Sequence, residues 1–216
     1  DPTSKAHLWI QNMTASEQGS LTLTAQGLVT GTAGFIKGNQ LTIQGDSIPT
    51  LVTDVNSVNL TTLEPGSLSL TQVRTKSLTV DAALRDGAFI IDHALGDVTL
   101  NSVRIFTNSD ENDLTVTAGG SIRIGTIFLG DFYASATELP TAGTGAVSGH
   151  IALGDVSLKS GGSVTQSAVD TAIDLIADQL VIDAVTGIGP LRLIPIFVGE
   201  CTRRCVACAT TATGSK

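Results

Sequence analysis

The chain has 216 residues, a formal net charge of −8 and a pI near 4.6, and its 12 basic residues include one adjacent pair, Arg203-Arg204. Nucleic acid needs clustered Lys and Arg to displace counterions, so this balance argues against it, and no apolar run approaches the roughly 18 residues of a bilayer-spanning helix. Aromatics are 4% and hydrophobics 42%, while charged residues reach 15% against roughly 25% in an ordinary soluble protein. The core must therefore consist of thin layers of Leu, Ile, Val and Ala. Thr, Ser, Asn and Gly supply the polar surface, a composition common in secreted bacterial proteins.

Asp1-Pro2-Thr3-Ser4-Lys5 lacks signal-peptide character and reads as a cut end, so a fragment or processed piece of a longer protein is expected. Residues 1–18, with Leu8-Trp9-Ile10, fit the later pattern poorly and are expected to form an edge strand or cap. A small unit then begins at Leu21-Thr22-Leu23 and returns at Leu41-Thr42-Ile43, Val58-Asn59-Leu60, Leu68-Ser69-Leu70 and Leu78-Thr79-Val80. Phe89-Ile90-Ile91 continues the series. The segment Gly96 to Ile127 holds three more units, Val98-Thr99-Leu100, Leu114-Thr115-Val116 and Ile122-Arg123-Ile124. In most of them two apolar residues flank a polar one, the period of a half-buried strand. Gly, Asn, Asp and Ser bound the units as turn residues.

Spacings cluster near eight to ten and near sixteen to twenty residues. A coil of roughly 20 residues holding two or three short strands predicts a solenoid, because no strand can bury its apolar face alone. About nine coils at ~4.8 Å would make a rod on the order of 45 Å long. The expected fold is all-β, a right-handed parallel β-helix. The alternative is a β-sandwich, which also gives short strands with frequent turns. Residues 19–189 form the repeat region, with a loop insertion near 134–149, and residues 190–216 form an atypical tail. The first 200 residues contain no Cys, so no disulfide framework holds the repeats.

The units Gly19-Ser20-Leu21-Thr22-Leu23-Thr24-Ala25, Gly96-Asp97-Val98-Thr99-Leu100 and Ala118-Gly119-Gly120-Ser121-Ile122 carry a resemblance. So do Leu175-Ile176-Ala177-Asp178-Gln179-Leu180-Val181-Ile182 and the closing Ala184-Val185-Thr186-Gly187-Ile188-Gly189. This texture resembles the β-helix shafts of filamentous-haemagglutinin-like adhesins and other giant repetitive bacterial surface proteins. The resemblance implies export, a cell-surface location, and a structural or adhesive shaft that displays loops. It implies a glycan or protein of a host or neighbouring cell as partner, and end-to-end contact with flanking repeats of a longer chain. It brings no catalytic residue, and the family's N-terminal secretion domain is not recognisable here.

Candidate chemistry is sparse. Ser109-Asp110-Glu111-Asn112-Asp113 is the densest acidic run, and oxygen ligands in a turn hold calcium. Asp110, Glu111 and Asp113 are thus the candidate calcium ligands, with a solvated turn as the plain alternative. Cys201, Cys205 and Cys208 form C-x3-C-x2-C, which resembles the iron–sulfur motif of radical SAM enzymes. That family requires a barrel after the motif, and eight residues follow Cys208. Zinc held by the three thiolates and a distant His is the other metal reading, and a non-native tail is the plain one. No resident cofactor and no catalytic activity are expected, since His7, His93 and His150 stand apart from any nucleophile motif. The competing function is a carbohydrate-active β-helix enzyme, a polysaccharide lyase or hydrolase. It would need Arg104 and Arg123, nineteen residues apart, stacked on adjacent coils beside carboxylates such as Asp97 and Asp155.

Overall fold

A computed structural model describes residues 5–6, 8–30, 35–48, 50–107, 109–130, 154–168, 174–191 and 193–195. These residues contain no helix and twenty strands, numbered β1–β20 in chain order. The loop insertion at 134–149, His7, His150 and the three cysteines lie outside the described residues.

One face of the molecule is an eight-stranded sheet. Its rungs are β2 (Met13–Thr14), β5 (Phe35–Lys37), β7 (Thr50–Asp54), β9 (Leu68–Gln72), β11 (Phe89–His93), β13 (Leu114–Ala118), β15 (Val156–Ser160) and β18 (Leu180–Ala184). The second sheet stacks β3 (Ser20–Thr24), β6 (Gln40–Gly45), β8 (Ser57–Thr62), β10 (Leu78–Leu84), β12 (Val98–Ile105), β14 (Ile122–Leu129), β16 (Ser163–Gln166) and β19 (Gly187–Ile188). The chain passes from one sheet to the other and returns one rung higher, and every described ladder is parallel. Strands adjacent in sequence therefore do not pair. A sandwich built from antiparallel hairpins is overturned, and the architecture is a β-solenoid. Eight rungs at ~4.8 Å span about 34 Å, shorter than a count of nine coils suggests, because one coil crosses residues 131–153 and consumes 42 residues.

Inward and outward faces follow the alternation. Val98 and Leu100 are fully buried while Thr99 is half-buried on the outer side, and Leu114, Val116, Ile122 and Ile124 are buried beside exposed Thr115 and Arg123. One aliphatic column follows the register from Leu23 through Ile43, Leu60, Ala82, Val103, Ile127 and Leu175 to the backbone position of Leu193. Each fully buried Leu, Ile or Val contributes about 1.5–3 kcal/mol.

The long strands bend. Between β10 and β12 the register slips, so that Val80 faces Leu100 but Asp81 faces Ser102, leaving Asn101 as an extra residue. Such a bulge kinks a strand, and here inward alternation restarts at Val103 and Ile105. Gly125 follows on the next coil, where a Cβ would lie 2.4 Å from the Asn101 carbonyl oxygen, so only glycine fits. The segments after the bend form a further line of rungs. One coil later the two parts are separate strands, β16 and β17 (Leu175–Ala177), and β17 pairs with β14 and with β20 (Leu193–Pro195). At the opposite end β1 (Leu8–Trp9) pairs with β4 (Val29–Thr30).

Candidate functional site: the glycine-lined corner groove

Among the described residues, the corner that follows the first sheet contains the greatest concentration of buried polar groups. Its inner column includes Thr53, Gln72, His93, Ala118 and Ser160, aligned by ladder register. The chain leaves its ladder at a corner, so turn carbonyls and amides facing the core need other partners. Gln72 Nε2 donates to the Val55 carbonyl, and its Oε1 accepts from Thr53 Oγ1 at 3.1 Å. His93 lies 2.7 Å from the Lys76 carbonyl oxygen through Nε2. A carbonyl accepts only, so Nε2 carries a proton and donates there; Nδ1 is buried without a hydrogen-bond partner. Ser160 Oγ donates to the Gly120 carbonyl at 2.8 Å and accepts from Gly162 N at 3.1 Å.

Outside this column the stacked turns form an open groove of about 630 Å³, lined by Thr75–Ser77, Ala94–Asp97, Gly119 and Gly120. Glycine is required here by close approach. A Cβ on Gly96 would sit 2.5 Å from His93 Nε2, and one on Gly119 would sit 2.1 Å from the Ala94 carbonyl oxygen. The groove wall is thus largely backbone. Lys76 stands exposed at its rim, together with the apolar side chain of Leu95. Asp97 is engaged on both oxygens, accepting from Ser121 N at 2.8 Å and meeting Arg123 Nη1 at 3.4 Å. The groove is lined by both polar and apolar surface. Its lining supplies one carboxylate, whereas acid–base cleavage of a glycoside uses two held roughly 5–10 Å apart.

On lower coils the same corner carries a polar ladder. Asn56 Nδ2 donates to Asn39 Oδ1 at 2.7 Å, and Arg74 Nη1 donates to Asn56 Oδ1 at 3.0 Å. Arg74 Nε also pairs closely with Asp54.

The two arginines singled out from the sequence do not stack. Arg123 aligns with Thr99, and Arg104 aligns with Phe128, whose ring centroid lies 5.3 Å from the guanidinium. The intervening coil advances by 24 residues, as the pairing of Val98 with Ile122 shows, so a separation of nineteen leaves the arginines in different rows. Asp97 and Asp155 do lie at coil corners, directly before β12 and β15, but at different corners.

The acidic run 109–113 folds as a stitched turn. Ser109 Oγ accepts from Glu111 N at 3.2 Å, and Asp113 Oδ1 accepts from Asp155 N at 3.0 Å. Its anchor is Asn112, fully buried, which donates to the Thr107 carbonyl at 2.6 Å and accepts from Gly87 N at 2.8 Å. Gly87 sits at φ +96, a left-handed conformation that favours glycine. Asp110, Glu111 and Asp113 do not converge: among the described residues no group of three or more His, Cys, Asp or Glu is placed to hold a metal ion. Instead Asp155 stands over Asp113 on the next described rung and feels the charges of Asp113 and Asp178. Partial burial first, and then the charges of Asp113 and Asp178, push the Asp155 carboxyl above its ordinary range. Asn112 and Asp178 had no sequence signal, because their roles arise only when corners stack. Comparisons of the chain with protein-family models, with curated proteins and with solved structures found no match.

Proposed function

We propose that the chain is a shaft segment of an exported bacterial surface protein, a stiff spacer that presents its loops and outer faces to a glycan or protein on another cell. The supporting observation is the aliphatic column that follows the register from Leu23 to Leu175. A continuous packed axis with hydrogen-bonded rungs resists bending and places lateral features at fixed heights. The repeat texture, with its likeness to filamentous-haemagglutinin-like shafts, supports the same reading, including secretion and a surface location.

The test separates binding from chemistry. The chain is applied to an array of cell-surface glycans and, in parallel, incubated with acidic polysaccharides while new chain ends are measured. Glycan binding without new ends is the expected result. Turnover that disappears in Arg104→Ala or Arg123→Ala would replace the shaft by a carbohydrate-active enzyme. Neither binding nor turnover would remove the adhesive part and leave a spacer.

A further inference from the structure

We infer that Asp86-Gly87 is a covalent modification site, at which the Gly87 nitrogen closes on the Asp86 carboxyl as a succinimide, and that Gly66 and Asn112 withhold this reaction while the coils are stacked. Asp86-Gly87 is the chain's one Asp-Gly pair, and Asn-Gly does not occur. Glycine leaves its amide nitrogen open to reaction, because no Cβ shields it. The Asp86 side chain turns back onto its own peptide. Gly87 N donates to Asp86 Oδ1 at 2.7 Å, so Cγ, one bond from that oxygen, lies beside the nitrogen. The two reacting atoms are already neighbours, which removes much of the entropy of bringing them together. Attack joins N to Cγ, and the amide hydrogen leaves with the hydroxyl of the protonated carboxyl as one water. A second water then reopens the ring. Entry at Cγ restores aspartate, and entry at the Asp86 backbone carbonyl gives isoaspartate, with the chain running through Cβ and Cγ.

The restraint is a grip on the Asp86-Gly87 peptide from both sides. Its carbonyl accepts from Gly66 N at 3.2 Å on the coil below, and its N–H donates to Asn112 Oδ1 at 2.8 Å on the coil above. Asn112 is fully buried and is itself tied to the Thr107 carbonyl at 2.6 Å. Packing is close as well, since a Cβ on Gly87 would lie 2.8 Å from the Gly66 carbonyl carbon. With the N–H directed at two oxygens, its hydrogen faces the carboxyl. Attack requires the face of the peptide plane to turn toward Cγ instead. That turn breaks the bonds to Gly66 and Asn112 together, so it requires local opening of the corner. Isoaspartate adds a carbon to the backbone here and draws Gly87 away from Asn112. Because β11 begins at Phe89, its pairing with β9 and β13 should loosen in the modified chain.

The inference depends on the corner and not on what the shaft binds, so its failure leaves the proposed function intact. The unmodified chain, Asn112→Ala and Leu100→Ala are incubated at neutral pH, and the unmodified chain is also incubated unfolded in urea. Peptide mapping then follows Asp86 for the imide, lighter by one water, and for isoaspartate, which a protein isoaspartyl methyltransferase labels. The unfolded chain is expected to modify at Asp86 at least about tenfold faster than the folded one, and Asn112→Ala about tenfold faster than the folded parent. Leu100→Ala, which loosens the core without touching Gly87, should stay close to the parent rate. Equal rates in the folded and unfolded chain overturn the grip, and no modification of the unfolded chain overturns the site. An unchanged rate in Asn112→Ala, or an equal rise in Leu100→Ala, overturns the role of Asn112. Circular dichroism verifies that each variant is folded; should Asn112→Ala unfold, the folded and unfolded parent still decide.

Discussion

Leu100 and Thr99 are neighbours on β12, yet the same substitution at each has opposite consequences. Leu100 is fully buried between Val80 on the coil below and Ile124 on the coil above. Truncation to Ala removes most of that burial and leaves a cavity that a close-packed stack cannot collapse, a loss of about 2–5 kcal/mol. Leu100→Asp adds the cost of placing a carboxyl among aliphatics, several kcal/mol more unless it takes up a proton. Thr99→Asp places the carboxylate on the outer side, in the row that holds Arg123 on the next coil, so a change within about 0.5 kcal/mol is expected. For a chain of this size each 1 kcal/mol moves a cooperative midpoint by roughly 2–4 °C, which puts Leu100→Ala about 4–20 °C below the unmodified protein and Leu100→Asp lower still. Repeat architectures can lose coils separately, so thermal melts are paired with native-state hydrogen exchange on β10, β12 and β14. Lost protection should centre on those three rungs. Equal melts for Leu100→Asp and Thr99→Asp would refute the assignment of inner and outer faces.

Asn112→Ala leaves the Gly87 amide and the Thr107 carbonyl without their buried partner, at about 1–3 kcal/mol for each group stranded; faster exchange of the Gly87 amide is the diagnostic readout. Gly119→Ala forces a Cβ to 2.1 Å from the Ala94 carbonyl oxygen, so it should cost more than the ~1 kcal/mol by which Gly and Ala ordinarily differ, and a melt unchanged from the parent would contradict the stacked corner. Asp155 provides the pH test. Its folded carboxyl takes up a proton at higher pH than an unfolded Asp of ordinary value 3.8. Stability from this site is therefore fully present where the residue is protonated in both states, and is lost as pH rises from 3.8 through the raised folded value. Asp155→Asn should raise the melting temperature at neutral pH, and the gain should vanish in acid; a gain that grows toward low pH would show the sign to be wrong.

The solenoid and its two faces were legible because alternation is local. Val98-Thr99-Leu100 states which side chain points inward wherever the strand lies, and the scarcity of aromatics limits the core to thin aliphatic layers. Turn chemistry was legible in the same way, from glycines such as Gly119 and Gly120 between apolar runs. Long-range register was not. Coils vary from 17 residues, between Leu41 and Val58, to 42, between Leu114 and Val156, so sequence spacing does not identify which residues lie above one another. That variation separates Arg104 from Arg123. It also places Thr22 and Thr24 on the second sheet but Thr115 and Thr117 on the first, although the local pattern is alike.

The corners depend on stacking even more strongly. Gln72, His93, Asn112 and Ser160 look like ordinary polar residues in the chain, and their partners lie across turns or on other coils. Sequence alone determined the period, the inward aliphatics and the absence of a disulfide framework in the repeats. Only the tertiary structure decided the register, the buried corner network, the groove over His93 and the placing of Asp155 over Asp113. The physical reason is that alternation records a strand's own two sides, whereas register is set by how each turn settles on the one beneath it.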